Sequence, residues 1–220
     1  MSFQENLDRV RDRMDRAIAR AHRRPEDVTL IAVTKIFPVE AILEGYAAGL
    51  REFGENYVQE FEGKHPQVAS LAGAHFHLIG HLQSNKAAKA AELFHVIQTV
   101  DSVKLAKRLD ATGTKLDVMI EVKLSGEDGK HGVGVEHLSE LVDAIAACPN
   151  LRLLGLMTMP PWFEDAEFSR TFFVLLRKLA ARWNLPRLSM GMSNDLEVAI
   201  EEGATDIRVG TALFGKRKKL

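Results

Sequence analysis

Short apolar runs alternate with longer amphipathic runs along almost the whole chain, and this alternation is the feature that most limits its fold. Residues 28–34, VTLIAVT, are apolar and rich in β-branched side chains, which predicts a buried strand. Further strand-like runs follow at 52–55, 76–80, 95–100, 116–122, 151–156, 187–190 and 206–210. Helical runs separate them, so we expect parallel strands joined by right-handed crossovers. About eight such units favour a closed (β/α)8 TIM barrel, although periodicity alone leaves an open doubly wound sheet available.

The helical runs carry apolar residues at spacings of three and four. An additional helix is predicted before the first strand, from Leu7, Val10, Met14, Ile18 and Ala21. After that strand, Pro38 and Gly49 mark the start and the end of the next helix. Two later helices are expected to bury one apolar face each, at Leu138, Leu141, Val142 and Ile145 and at Phe168, Phe172, Leu175, Leu176 and Leu179.

Length and composition agree with one domain. The chain has 220 residues, of which 46% are hydrophobic, and this is enough to bury one large core. No Gly/Ser-rich or Pro-rich linker and no low-complexity segment interrupts it. We therefore expect residues 1–220 to form a single domain.

Charge and cysteine content narrow the classes of ligand and the cellular compartment that the sequence predicts. The chain has 29 Lys and Arg against 30 Asp and Glu, so no strong field draws it to nucleic acid or an acidic membrane. The N-terminus is rich in charge, and no stretch approaches the roughly 18 apolar residues of a membrane span. Cys148 is the single cysteine and cannot form an internal disulfide. We expect a cytoplasmic protein with a small, locally polar ligand.

Polar residues gather directly after several predicted strands, which is where a parallel barrel carries its active site. These groups are Thr34-Lys35, Glu55-Asn56-Tyr57, residues 80–86 (GHLQSNK), residues 191–195 (GMSND) and Gly210-Thr211. Burial of a lysine favours the neutral amine, which can attack an aldehyde. By position alone, Lys35 is either such an imine-forming amine or a cation that reaches the surface.

Two loops near the end of the chain have features of phosphate-binding turns. Ser193 precedes a helical run, so its hydroxyl and the following amides either cap that helix or hold a phosphate. Gly210 and Thr211 offer a bare backbone and a hydroxyl close to where barrels often bind phosphate. Arg208, in the last strand, either points into the site or forms an ion pair at the rim. No group of His, Cys, Asp or Glu has zinc-like spacing, so we expect no metal.

Seven segments, taken together and in order, resemble the pyridoxal-phosphate homeostasis protein family. They are IAVTK, FGENYVQE, HLIGHLQSNK, the stretch 125–132 (SGEDGKHG), GLMTM, SMGMSND and RVGTALFG. The match runs from about residue 5 to residue 215. The family fold is similar to the N-terminal barrel of alanine racemase, which implies a (β/α)8 barrel with an additional N-terminal helix.

The resemblance implies pyridoxal 5′-phosphate (PLP) as the cofactor and assigns a role to each candidate residue. It implies that Lys35 forms the internal aldimine, a Schiff base, that Asn56 lies near the cofactor ring, that Ser193, Gly210 and Thr211 hold the phosphate, and that Arg208 faces the pyridine nitrogen. An arginine would hydrogen-bond that nitrogen without giving it a proton, which makes the ring a weaker electron sink.

A weak electron sink disfavours transamination but leaves racemisation possible. A complete cofactor cradle without an evident opposing acid-base group favours a protein that buffers or delivers PLP without catalysing a reaction. The alternative is a PLP-dependent amino-acid racemase, which needs a second acid-base group on the face opposite Lys35. Tyr46 and Tyr57 are the chain's tyrosines; the first lies on an apolar helix face and the second near the rim. A Schiff-base aldolase acting on a sugar phosphate would share the barrel, the lysine and the phosphate loops.

Several positions keep open roles. Lys123 and His81 stand where the family more often has Asn and Pro; Lys123 assists the phosphate or reaches solvent, and His81 contacts the ligand or caps a helix. Lys130 matches a family lysine in a polar loop and is either a second cofactor contact or a solvated side chain. We expect a monomer with apo PLP-dependent enzymes as candidate recipients, and neither nucleic acid nor membrane as a partner.

Overall fold

The computed structural model describes residues 2–126 and 131–215, and its centre is a ring of parallel strands. The strands are β1 (Thr29–Val33), β2 (Glu52–Glu55), β3 (His75–Leu78), β4 (Val96–Val100), β5 (Leu116–Lys123), β6 (Val133–Gly134), β7 (Leu151–Met157), β8 (Arg187–Ser189) and β9 (Asp206–Val209). Neighbours pair in parallel around the ring, and β4–β5 and β1–β9 pairings close it. Among the residues that the structure describes, β6 pairs only with the end of β5. The predicted eight-stranded barrel is confirmed, and the open sheet is excluded.

Helices surround the ring. They are α1 (Phe3–Arg20), α2 (Glu40–Ala47), α3 (Val58–Val68), α4 (Ala87–Leu93), α5 (Val103–Asp110), α6 (Leu138–Ala146), α7 (Arg170–Ala181), α8 (Leu196–Glu201) and α9 (Thr211–Phe214). Within residues 2–126 and 131–215, none of them is long and apolar enough to cross a lipid bilayer. Lys130 lies outside the described residues, so its role stays a prediction.

The additional helix α1 is confirmed, and it packs against the elements at the end of the chain. A capping box starts it: the Ser2 hydroxyl accepts a hydrogen bond from the Glu5 amide, and Glu5 accepts one from the Ser2 amide. Its apolar face is buried, as expected. Phe3 stacks on Phe214 with ring centroids 5.2 Å apart, and Asn6 donates to the Leu213 carbonyl over 2.9 Å. The helix therefore fixes α9 against the barrel.

Alternate residues of the strands serve two different environments. One set, which includes Phe53, Phe76 and Val209, packs in the core formed with the helices. The other set faces the interior of the ring, because Gln98 on β4 accepts a hydrogen bond from Ser189 on β8 across 2.6 Å, although these strands are not neighbours. The barrel interior is thus partly polar.

The predicted apolar face of α7 is wrong in part. The buried residues are Phe173, Leu176, Leu179 and Ala180. Phe168 is 63% exposed and Leu175 is 39% exposed. A 3-10 turn, Ala166–Ser169, precedes the helix, so Phe168 does not share the helical register from which the face was predicted. The apolar spacing in the sequence therefore grouped residues that lie on two different faces in the structure.

We expect Gly155→Ala to destabilise the barrel. Gly155 on β7 pairs with Arg187 on β8, and an added Cβ would lie 1.9 Å from the Arg187 carbonyl oxygen. The backbones would have to separate, at a cost of about 1–3 kcal/mol in the free energy of unfolding. Urea unfolding measures this loss.

Gly63→Ala is the matched control, because Gly63 lies in α3 and an added Cβ meets nothing within 4 Å. It should leave stability unchanged or raise it by up to about 1 kcal/mol. Equal effects of the two substitutions would contradict the close approach of β7 and β8.

Candidate functional site

A cavity of about 370 Å³ lies at the C-terminal ends of the strands. All six residues predicted for the cofactor line it: Lys35, Asn56, Ser193, Arg208, Gly210 and Thr211. A larger cavity, about 1090 Å³, lies at the opposite end of the barrel beside Glu52, His75 and Arg187, and none of the six lines it. Barrel active sites occupy the C-terminal face, so the smaller cavity is the candidate site.

Lys35 is the second residue after β1 and is half-buried at the cavity. The chain turns sharply after it, since Ile36 has a φ of 67°, a left-handed conformation that a β-branched residue rarely adopts. The Ile36 amide donates to the Glu60 carboxylate over 2.6 Å, which holds this turn. Strain at Ile36 therefore accompanies the placement of Lys35.

A buried ion cluster supports the end of β1 from the helix side. Lys64 is 8% exposed, and its ammonium donates to the Thr34 carbonyl and to the carboxylates of Glu55 and Glu60 over 2.6–3.0 Å. The Thr34 hydroxyl also donates to Glu55 over 2.8 Å. Burial raises the pKa of Glu55, and the Lys64 charge opposes that rise. This support was not predicted, because Lys64 carries no motif and lies inside an amphipathic helix.

Asn56 reaches the cavity from the end of β2, and the backbone of Gly80 packs against it. An added Cβ on Gly80 would lie 2.3 Å from the Asn56 carbonyl oxygen. The Gly80 carbonyl in turn accepts a hydrogen bond from the buried Thr99 hydroxyl over 2.8 Å. Glycine at position 80 is therefore what allows the chain after β3 to support Asn56.

Ser193 joins the loop after β8 to the turn after β9. Its hydroxyl accepts a hydrogen bond from the Ala212 amide over 3.3 Å, beside Gly210 and Thr211. Its carbonyl accepts one from Arg13 on α1, over 3.0 Å. The alternative in which Ser193 caps the next helix is wrong, because Asp195 is the N-cap of α8. The two predicted phosphate loops therefore meet at one end of the cavity.

Arg208 is buried beneath the cavity at 3% exposure, so the alternative of an ion pair at the rim is wrong. Its guanidinium donates to the Ser189 hydroxyl over 2.5 Å and to the Thr158 carbonyl over 2.9 Å. Burial lowers its pKa to about 10, while nearby carboxylates, including Asp195 and Glu121, oppose the shift. Arg208 is therefore still a cation at neutral pH.

A line of hydrogen bonds runs from Arg208 through the barrel interior to the opposite end. Ser189 donates to Gln98 over 2.6 Å, and the Gln98 amide lies 3.0 Å from His77 Nδ1. His77 Nε2 lies 2.6 Å from Glu52. Burial raises the pKa of Glu52, but the hydrogen bonds from His77 and His75 outweigh it and lower that pKa to about 2. Arg208 is thus held at its position by a chain of packed polar groups.

Glu121 on β5 is a buried acidic residue that the sequence analysis did not identify. One of its carboxylate oxygens has no hydrogen-bond partner among the described residues. Burial raises its pKa to about 7, and the positive charge of Arg208 limits the rise. The signal for Glu121 in the sequence was an acidic residue among apolar ones in a predicted strand.

An apolar wall completes the cavity, and it too was missed as part of the site. Met159, Trp162 and Phe163 line the cavity in the segment after β7. The Pro-Pro-Trp-Phe sequence there was the available signal. Tyr57 is 54% exposed and does not line the cavity. Neither do His81 and Lys123, so both alternatives that give them a ligand contact lack support.

We expect the stability of the protein to depend on pH through Glu121. The folded-state pKa of about 7 exceeds the ordinary value of 4.5, so the folded protein keeps a proton that the unfolded chain loses. The contribution of protonated Glu121 to the free energy of unfolding is complete below pH 4.5 and is lost as the pH rises through 7. Glu121→Gln cannot ionise, so above pH 7 it should be more stable than the parent, by up to about 3 kcal/mol.

Urea unfolding of both proteins across this pH range tests the prediction. Exposed Glu140→Gln is the control and should follow the parent at every pH. A constant difference between Glu121→Gln and the parent at all pH values would contradict a raised pKa.

Comparison with known proteins gives consistent matches over the full barrel. The model of the family described as alanine racemase, N-terminal domain, matches residues 6–218. The pyridoxal phosphate homeostasis protein of Pseudomonas aeruginosa is 45% identical, over 97% of this chain and 95% of the relative. The protein of the same name from Escherichia coli K12 is 42% identical, over 96% and 95%.

Solved structures agree with the fold. PipY of Synechococcus elongatus, solved with PLP bound, has a TM-score of 0.81 and 39% identity, covering 92% of this chain and all of that one. An alanine racemase of Clostridium difficile has a TM-score of 0.75 at 12% identity, and the match covers 99% of this chain but 57% of the racemase chain. This is a likeness of fold alone. The chain therefore belongs to the pyridoxal phosphate homeostasis protein family, and through it to the family of the alanine racemase N-terminal domain.

Proposed function

We propose that this protein binds pyridoxal 5′-phosphate through Lys35 and buffers or delivers it, without catalysing a reaction on it. The observation that carries the proposal is the convergence of Lys35, Asn56, Ser193, Arg208, Gly210 and Thr211 on one cavity of about 370 Å³. That volume is in the range of small-molecule sites. The names of the relatives and the PLP in PipY support the same cofactor.

The residues present fit the chemistry of PLP. When bound, the cofactor supplies an aldehyde that a primary amine attacks with loss of water. Lys35 is the amine at the end of β1, on the same cavity as the buried cation Arg208. Ser193 and the backbone at Gly210 and Thr211 offer hydrogen bonds to a phosphate, and Gly210 has no side chain to obstruct it.

The charge of Arg208 argues against catalysis that needs a strong electron sink. With a pKa of about 10, this guanidinium stays protonated at neutral pH and has only donors to offer. It would hydrogen-bond a ring nitrogen without giving up a proton. Its hydrogen bonds to Ser189 and Thr158 hold it in place, so it does not swing away from the cavity.

Racemisation would also need an acid-base group opposite Lys35. The Tyr46 hydroxyl donates to the Ala72 carbonyl over 3.0 Å, and Arg51 lies above the Tyr46 ring. Tyr46 does not line the cavity. Tyr57 is exposed outside it. The tyrosines therefore give the racemase alternative no support.

The proposal extends to where and with what the protein acts. We place it in the cytoplasm, as a monomer, with apo PLP-dependent enzymes as recipients of the cofactor. Its one cysteine, Cys148, is buried and has a pKa raised by burial, which agrees with an unreactive thiol in a reducing compartment. The cavity opens at the rim of the barrel, which favours release of the cofactor.

Lys35→Ala should abolish the visible absorbance of lysine-bound PLP, because the amine that forms the covalent bond is removed. The exposed lysine variant Lys104→Ala should keep that absorbance. Absorbance spectroscopy of protein loaded with PLP and freed of excess cofactor makes the comparison.

Borohydride reduction followed by mass analysis of peptides gives the second readout. The parent should carry a PLP adduct on Lys35, and a sugar-phosphate adduct would instead identify the aldolase alternative. Persistence of the absorbance in Lys35→Ala, or an adduct on another lysine, would overturn the assignment.

The PLP-loaded protein should not introduce solvent deuterium at the α-carbon of amino acids faster than free PLP does. Mass spectrometry of a broad amino-acid panel incubated in deuterium oxide measures the exchange, with free PLP as the control. Exchange above that control that disappears in Lys35→Ala would establish the racemase alternative.

A further inference from the structure

Three potential metal ligands meet on the rim of the barrel, outside the cofactor cavity. His81 follows β3, Asp101 follows β4, and His131 precedes β6. One ligand atom from each lies within 4.8 Å of the others. None of the three lines the cavity proposed for PLP. They come from different strand ends, and the pairing of β3 with β4, of β4 with β5 and of β5 with β6 brings them together.

The three side chains of this group already lie against one another. His81 Nδ1 lies 3.3 Å from a carboxylate oxygen of Asp101. The imidazole rings of His81 and His131 stack with centroids 3.7 Å apart and planes 10° from parallel. Asp101 is half-buried, while His131 is exposed, so the His131 ring can leave its stack on His81 and turn towards the Asp101 carboxylate. Once the His131 ring has turned, one nitrogen of each ring and an Asp101 carboxylate oxygen are within reach of a single cation.

The donor set selects the class of cation. Imidazole nitrogen suits zinc, copper, iron and nickel, whereas magnesium and calcium prefer oxygen ligands. In a tetrahedral zinc site, bonds of about 2.0–2.2 Å place ligand atoms roughly 3.3 Å apart. The His81–Asp101 separation already matches that spacing. Three protein ligands leave a fourth position for water or another small ligand.

We propose that His81, Asp101 and His131 bind a divalent cation of the zinc class. The bound cation would join the ends of β3 and β4 to the residue that precedes β6, and β6 pairs with the end of β5 at Val122 and Lys123. Three neighbouring segments of the rim would thus be cross-linked. The expectation from sequence that no metal binds rested on ligand spacing within short segments, and these ligands are far apart in the chain.

Titration of the tag-free, metal-depleted full chain with Co²⁺ and Zn²⁺ tests the site. Tetrahedral coordination should give Co²⁺ a visible absorption that saturates at one equivalent and that Zn²⁺ displaces, while Mg²⁺ has no effect. His81→Ala, His131→Ala and Asp101→Asn should each weaken Zn²⁺ binding by at least about tenfold. His137→Ala removes an exposed histidine outside the group and is the matched control.

Thermal unfolding gives a readout that does not depend on the spectrum. Zn²⁺ should raise the melting temperature of the parent and of His137→Ala, but not of the three ligand variants, because a ligand that binds only the folded state stabilises it. Absent Co²⁺ absorption, or equal Zn²⁺ affinity in the parent and the ligand variants, would overturn the proposal. Lys35→Ala should bind Zn²⁺ like the parent, so this outcome is independent of the cofactor.

Discussion

Closure of the parallel sheet is the constraint on which the rest of this structure depends. The pairings of β4 with β5 and of β1 with β9 turn a row of strands into a ring. The ring brings the C-terminal ends of all its strands to one rim. Lys35 and Gly210, from opposite ends of the chain, become neighbours there because β1 and β9 are adjacent. The site is a consequence of that pairing.

Closure also decides what the interior residues must do. A polar side chain that points into the ring cannot reach bulk water, so it needs a partner inside the protein. The interior polar groups hydrogen-bond one to the next, from Arg208 through Ser189 and Gln98 to His77, and the line ends at Glu52. A cation held in this way is fixed in position before any ligand arrives. That fixed charge is what we infer makes the cavity a holder of cofactor.

The end of β1 is held from the other side of the strand. Lys64 and Glu60, on α3, bind the Thr34 carbonyl and the Ile36 amide on either side of Lys35. The left-handed conformation of Ile36 is unfavourable for its residue type, and these contacts hold the turn that contains it. Site and support thus lie on opposite faces of one strand end. A lysine in α3, distant in sequence, helps to position the lysine of the site.

The sequence by itself determined the eight strands of the ring, most of the predicted helical faces and the six cofactor candidates, but it missed the short strand β6. Alternating apolar runs fix local structure, and motifs such as RVGTALFG are local too. It failed at α7, where the 3-10 turn before the helix moved Phe168 to the surface, a shift that no periodicity records.

Only the tertiary structure decided barrel against open sheet, the buried setting of Arg208 and Glu121, and the meeting of His81, Asp101 and His131. Each of these depends on which strands become neighbours. That choice is made by long-range backbone pairing, which the order of residues along one strand does not encode.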